Sequence, residues 1–299
     1  MVVTLPRGQK TVKHHIPPTM TTDAAFCPAG VPFVKMHGAG NDFVVLDLRD
    51  GAALPCAQSA AQIADRHRGV GCDQLIIITP SPNGLADFGL TFLNSDGSES
   101  GACGNGTRCV AALLMDEGGA TDVAFESTYG VLDCTRSADG TVTVDMGRPS
   151  TGWQDIPLSE DRDTLHLGIK EGVLDDPVGV GMGNPHAVFV VEDAEAVPIE
   201  KLGPKLEHHR LFPERANIGI VQVKGRDRIR LRVWERGAGL TLACGSGSCA
   251  AVVAACRRGL TDRKVAVEVD GGELQIEWAD DDHVLMSGPT SLSFRGVLA

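Results

Sequence analysis

Two cysteines stand in matching surroundings: Cys103 precedes Gly104-Asn105-Gly106, and Cys244 precedes Gly245-Ser246-Gly247. After each, the chain turns apolar for about three helical turns. The first run is stopped by Gly118-Gly119 and the second by Arg257, Arg258 and Gly259. This pattern predicts a buried helix that begins immediately after each cysteine, with cations and glycine at the end of the second. A helix start carries unpaired N–H groups and partial positive charge, which favours a thiolate beside it and lowers a thiol from about 8.5 to roughly 7 or below. The same N–H groups, opened by glycines, form a carboxylate site. If the two starts face each other across one cleft, a carboxylate held between them has its α-carbon flanked by two sulfurs. One thiolate can then remove the α-proton while the opposite thiol protonates the other face, with no cofactor required. Charge spreading into the carboxylate as an enediolate is met by the two helix ends.

A repeat supports that facing arrangement. Gly38-Ala39-Gly40-Asn41 returns as Gly181-Met182-Gly183-Asn184 at an offset of 143, and Ala102-Cys103-Gly104 returns as Ala243-Cys244-Gly245 at an offset of 141. Gln74 falls on Asn217 and Asn94 on Glu235 at the same spacing. Four landmarks in one order argue for two homologous halves, residues 31–148 and 149–288, with 289–299 completing the first.

The elements that must position these residues are mostly short strands. Phe43–Leu46, Leu75–Ile78, Val142–Val144, Ala187–Val191, Ile229–Val233 and Val265–Val269 are β-rich. Helices are expected to begin near Ala57, Gly104 and Gly245. The fold class is therefore α+β, each half a mixed sheet or barrel wrapped around a buried central helix.

Composition narrows the partners. Among 299 residues, 42% are hydrophobic and 22% charged, as in ordinary globular chains, and no apolar run is long enough to span a membrane. Lys plus Arg number 27 against 39 Asp plus Glu, a net charge of -12, which disfavours nucleic acid as a partner. Nine cysteines without a regular framework fit a reduced, cytoplasmic protein. Cys103–Cys109 and Cys244–Cys249 are spaced too widely for a redox Cys-x-x-Cys pair, paired zinc elements are lacking, and no metal is expected. Cys109, Cys249 and Cys256 read as buried apolar residues. Residues 1–30 lack a secretory core and read as a flexible extension, with Met20 a second candidate start and a transit peptide the alternative.

The motifs Lys35–Phe43, Gly69–Gln74, Phe92–Ser98, Cys103–Gly106, Gly183–His186, Glu214–Asn217, Trp234–Gly237 and Ala243–Gly247 closely resemble the diaminopimelate epimerase family over about residues 33–298. Members interconvert LL- and meso-2,6-diaminopimelate without a cofactor, in lysine and peptidoglycan synthesis. The resemblance implies that Cys103 and Cys244 are the acid/base pair and that the backbone at Gly104, Asn105, Gly245 and Ser246 holds the reacting carboxylate. It also implies that Asn41, Gln74, Asn94, Asn184, Asn217, Glu235 and Arg236 bind the other polar groups, with His186 and Glu235 supporting catalysis. Arg236 suits a carboxylate and Glu235 an ammonium. Asn41 and Asn184, each after Gly-x-Gly, are alternatively turn formers, and His186 a hydrogen-bonded structural histidine. Asp42 and Asp73 are read as structural.

Many members carry Tyr where Phe294 stands, a residue associated with their dimer contact, so a homodimer is expected here without that hydroxyl. The rivals are a proline or hydroxyproline racemase-like enzyme and, from another class, a non-catalytic amino-acid-binding or thiol redox-sensing protein. Racemase relatives usually have His at the place of Asn105.

Overall fold

The structure, a computed structural model, describes residues 28–101, 103–128 and 130–299, so residues 1–27 of the expected extension lie outside it. The first half contains β1 (Pro32–Gly38), β2 (Asn41–Asp47), α1 (Ala57–Ala64), β3 (Gln74–Pro80), β4 (Phe88–Asn94), β5 (Glu99–Ser100), α2 (Gly104–Gly118), β6 (Asp122–Ser127), β7 (Gly130–Arg136) and β8 (Val142–Asp145). A ribbon of β9 (Lys170–Glu171) and β10 (Leu174–Asp175) follows. The plan then repeats as β11 (Val178–Gly181), β12 (Pro185–Val191), α3 (Ile199–Glu207), β13 (Asn217–Gly225), β14 (Arg228–Glu235), β15 (Gly239–Thr241), α4 (Gly245–Arg257), β16 (Lys264–Val269), β17 (Gly272–Trp278) and β18 (Val284–Gly288), before β19 (Ser291–Val297) ends the chain.

Pairing confirms the internal duplication strand by strand. In the first half β1–β2 is antiparallel, β2–β3 parallel, β3–β4 antiparallel, β4–β6 parallel, and β6–β7 and β7–β8 antiparallel. The second half repeats the same signs through β11–β12, β12–β13, β13–β14, β14–β16, β16–β17 and β17–β18. The halves join along the antiparallel pair β8–β18, and β19 returns to pair with β1.

The apolar runs are continuous because both faces of the central strands are covered. Phe43, Val45, Ile76 and Ile78 face α2, whereas Val44, Leu46, Leu75 and Ile77 face α1, the two-residue period sending neighbours to opposite layers. Val188 and Val221 likewise face α4, while Phe189, Ile218 and Ile220 face α3. Helices α2 and α4 belong to one shared core, and their residues from Gly104 to Met115 and from Gly247 to Ala255 are buried.

Three helices form where the sequence predicts them, and α2 ends at Gly119, whose φ of 69° is left-handed. At the end of α4 the Gly259 and Leu260 N–H groups bond back to the Cys256 and Ala255 carbonyls, closing the turn through a left-handed Gly259. Helix α3 is a fourth, unexpected helix. Gly203 and Pro204 lie inside it and argue against helix locally. Packing decides otherwise: a Cβ at Gly203 would lie 2.5 Å from the Trp234 ring, so glycine lets α3 settle onto β14.

Candidate active site

Helices α2 and α4 open with Cys103 and Cys244 as their N-caps, both in extended conformation, with φ of -142° and -121°. Among the described residues no side chain caps either helix. The Cys103 carbonyl accepts from the Thr107 N–H at 2.8 Å and its hydroxyl at 2.9 Å, and the Cys244 carbonyl accepts from the Ser248 N–H and hydroxyl, both at 2.9 Å. The halves thus fix their cysteines by the same device. The helix starts approach closely, since a Cβ at Gly245 would lie 3.7 Å from the Asn105 nitrogen.

Both thiols are free and line one cleft of 1410 Å³. Asn41, Gln74, Asn94, Gly104, Asn184, Asn217, Glu235, Arg236, Gly245 and Ser246 line it as well. Of the residues singled out in sequence, Asn105 and His186 are not on that wall; both are 1% exposed and stand behind it.

Cys103 Sγ lies 3.7 Å from Asn41 Oδ1, and Asn41 Nδ2 donates to Asp73 at 2.7 Å. Across the cleft, Asn184 Nδ2 donates to Ser246 Oγ at 3.3 Å, and Ser246 Oγ lies 3.7 Å from Cys244 Sγ. Asn41 and Asn184, equivalent in the repeat, therefore serve the two thiols through one and two links. His186 Nε2 meets Asn184 Oδ1 at 2.7 Å, and burial, helped by the Arg236 charge, pushes its imidazole down to about 3. It is thus neutral near pH 7 and donates Nε2–H to orient Asn184. On the strands, Gln74 Nε2 donates to Asn94 Oδ1 at 3.0 Å, and Asn217 accepts the Arg236 N–H at 2.9 Å. Arg236 Nη1 donates to the Glu214 carbonyl at 3.1 Å.

The ionisation of the thiols differs from the sequence expectation. Burial pushes Cys103 up to about 12; the Gly106 N–H and, more weakly, the Arg108 charge oppose it, and Glu235 adds to it. Cys244 is raised well above the ordinary thiol value, first by burial and then by the Glu235 carboxylate. Loss of water outweighs the helix-end effect, so the balance favours the thiol form of both. Burial also raises Glu235, against hydrogen bonds from Thr241 and Cys244. Its carboxylate accepts from the Thr241 hydroxyl.

Several cleft residues escaped sequence reasoning. Asp42 and Asp73, read as structural, lie on the wall with Arg66, which donates to Asp42 at 2.7 Å and to Asp73 at 2.8 Å. Lys35 Nζ donates to Asp42 at 2.5 Å. Burial raises Asp42, but the bonds from Arg66 and Lys35 prevail and hold it well below the usual carboxylate range. Thr241 and Arg215 line the same cleft. Asp73, directly after Gly69–Cys72, could have hinted at it; no periodic signal marks Thr241 or Arg215.

The duplicated α+β fold defines a structural class that includes a phenazine biosynthesis protein of the PhzF family from Bacillus anthracis. That structure aligns with a TM-score of 0.66 at 16% identity, covering 90% of this chain and 99% of its own. A probable proline racemase from Agrobacterium radiobacter K84 aligns at 0.63 and 15% identity, covering 90% and 93%. Within that class the sequence is specific: the diaminopimelate epimerase family profile matches residues 33–152 and 178–293. A diaminopimelate epimerase of Acidiphilium cryptum (strain JF-5) is 58% identical over 270 residues, covering 90% of this chain and 97% of that one. The chain belongs to the diaminopimelate epimerase family.

Proposed function

We propose that this protein interconverts LL- and meso-2,6-diaminopimelate by two-base proton transfer between Cys103 and Cys244, without a cofactor. The observation that carries the reading is the placement of both free thiols at the starts of two equivalent buried helices on one cleft wall. The reacting carboxylate sits against the first-turn N–H groups after Gly104 and Gly245, where two partial positive charges meet. One thiolate takes the α-proton and the charge passes into the carboxylate as an enediolate. The opposite thiol then gives its proton to the other face, leaving the first cysteine protonated and the second ionised. The incoming α-ammonium favours the thiolate that burial resists.

Asn41, Gln74, Asn94, Asn184, Asn217, Glu235 and Arg236 hold the remaining charges, Arg236 for a carboxylate and Glu235 for an ammonium. Ser246 steadies Cys244, and Asn105 and His186 act from behind the wall. Such a polar set selects the distal amino-acid group, because a smaller ligand leaves it unpaired; that favours a diaminopimelate over a proline-sized substrate.

Incubation of the reduced protein with LL-diaminopimelate in heavy water tests the reading. Deuterium at an α-carbon together with the meso isomer is expected, and absence of both overturns it.

A homodimer is part of the same proposal. Among the described residues strand β19 pairs with β1 alone, and it exposes Phe294 (48%) and Leu292 (46%), the Phe294 ring meeting Phe33 edge-on at 5.9 Å. Phe294→Glu should move the protein toward monomer in sedimentation; an unchanged mass removes β19 from the interface. Among the described residues no helix is long and apolar enough to cross a membrane. The requirement for reduced thiols supports a cytoplasmic setting.

A further inference from the structure

Helix α3 ends on Glu207, which is 4% exposed and gathers donors from two separate turns. Glu207 Oε2 accepts from Trp234 Nε1 at 2.8 Å, and Oε1 accepts from the Gly237 N–H at 3.0 Å and from Arg215 Nη1 at 3.4 Å. Its backbone carbonyl accepts from the Ala216 N–H at 3.1 Å. The turn before β13 and the turn after β14 are thereby tied to one residue. Arg215 needs such a tie: its φ of 62° lies in the left-handed region, which a residue with a Cβ keeps only where its surroundings hold it. A second brace runs beside the first, with the Arg236 N–H donating to Asn217 Oδ1 at 2.9 Å and Arg236 Nη1 to the Glu214 carbonyl at 3.1 Å. A buried carboxylate is costly unless donors fill its lone pairs, so Glu207 keeps its place because both turns meet on it.

The two halves differ here. Helix α1, the counterpart of α3, is followed by Asp65, whose carboxylate accepts from the His67 and Arg68 N–H groups at 2.8 and 2.9 Å, within its own turn. At the repeat offset Arg236 falls on Ser95, so the half with the tie is also the half with a guanidinium to hold. Glu207 stands behind the cleft wall, on which Arg215, Asn217, Glu235 and Arg236 lie. Cys103 and Cys244 are fixed separately by the first turns of α2 and α4, through bonds that Glu207 does not share. We propose that Glu207 is a positioning residue for substrate selection: by joining the two turns it sets the Arg236 guanidinium and the Asn217 amide at the spacing that receives the substrate's second, unreacting amino-acid group, and it takes no part in the proton transfer. This inference rests on the diaminopimelate reading above and adds to it the group that keeps the distal end of the cleft in shape.

Steady-state kinetics of the reduced protein with LL-diaminopimelate test it. Glu207→Gln keeps the length of the side chain but sets an amide NH₂ against N–H donors, so one turn loses its partner. KM should rise by about tenfold or more while kcat stays within about threefold of wild type, because the lost binding is shared by ground state and transition state. A role confined to stability would act the other way, lowering the active fraction and so kcat with KM unmoved; that result, or no change in either constant, overturns the proposal. Trp234→Phe removes only the Nε1 donor and keeps a ring against Gly203, so it should raise KM in the same direction by a smaller factor. An unmoved KM in this variant overturns the proposal even if the Gln variant does not fold. Failure of deuterium exchange in the wild type would instead overturn the proposed function, whereas a wild type that turns over beside a Gln variant of unmoved KM overturns this inference alone.

Discussion

Cys103 and Cys244 are poised as proton carriers by opposed effects of similar kind: burial keeps the proton on, and helix N–H groups and substrate charge take it off. Replacing either by serine removes a group that must work in every turnover. Cys103→Ser and Cys244→Ser should each lower net inversion by roughly 10²–10⁴-fold or more, read by optical rotation or coupled assay; near-wild-type rates in either variant would refute the pairing. The pH profile follows from the same balance. The reactive state has one thiol ionised and its partner protonated, and both thiols are raised in the free protein. The population of that state therefore grows as pH rises toward the lower of the two values, so kcat/KM should still be climbing at pH 8.5. A plateau complete by pH 7 would show that the helix ends win instead. At this scale the cysteines and the Asn and Glu ligands were legible, because repeated local patterns carry them. The direction of the thiol shift was not, because a helix-terminus argument is local whereas burial depends on which strands close over the site.

The elements meet at a seam that two glycines make possible. The turn Ala39-Gly40 between β1 and β2 touches Gly271 beside β17, and the Gly271 N–H bonds to the Leu242 carbonyl at 2.8 Å. A Cβ on Gly271 would lie 1.8 Å from the Ala39 carbonyl oxygen, a backbone atom that cannot step aside alone. Gly271→Ala should displace the turn that carries Asn41, cost about 1–3 kcal/mol in denaturant unfolding and reduce activity; full activity with unaltered stability would remove the seam from the site. Strong patterns made the main elements legible: the runs Phe43–Leu46 and Leu75–Ile78 became β2 and β3, and the cysteine-headed segments became α2 and α4. Helix α3 was missed although it is the repeat counterpart of α1, because Gly203 and Pro204 mask an apolar spacing at Ile199, Leu202 and Leu206. Strands as short as β5, β9 and β10 owe their pairing to neighbours and leave no period to read.

For the whole molecule, the buried thiols outside the cleft set an alkaline limit. Burial raises Cys72 to about 11 and Cys109, Cys134 and Cys249 to about 12. In the unfolded chain such thiols ionise near 8.5. A group whose folded value is raised contributes stability in full below the unfolded value and loses it as pH climbs toward the folded one. The melting temperature under reducing conditions should therefore hold up to about pH 8.5 and fall steadily from there toward pH 11. A flat Tm across that window would mean these thiols are not in dry cores, Cys72 in the one beneath α1 and the other three in the one that α2 and α4 share.

The close approach of the two helix starts has one consequence apart from the proton transfer. Like poles of two dipoles are pressed together by the surrounding sheet, a standing repulsion that the fold restrains and any small anion relieves. Acetate or sulfate should for that reason act as a mild thermal protectant, competitive with substrate, long before any chemistry takes place.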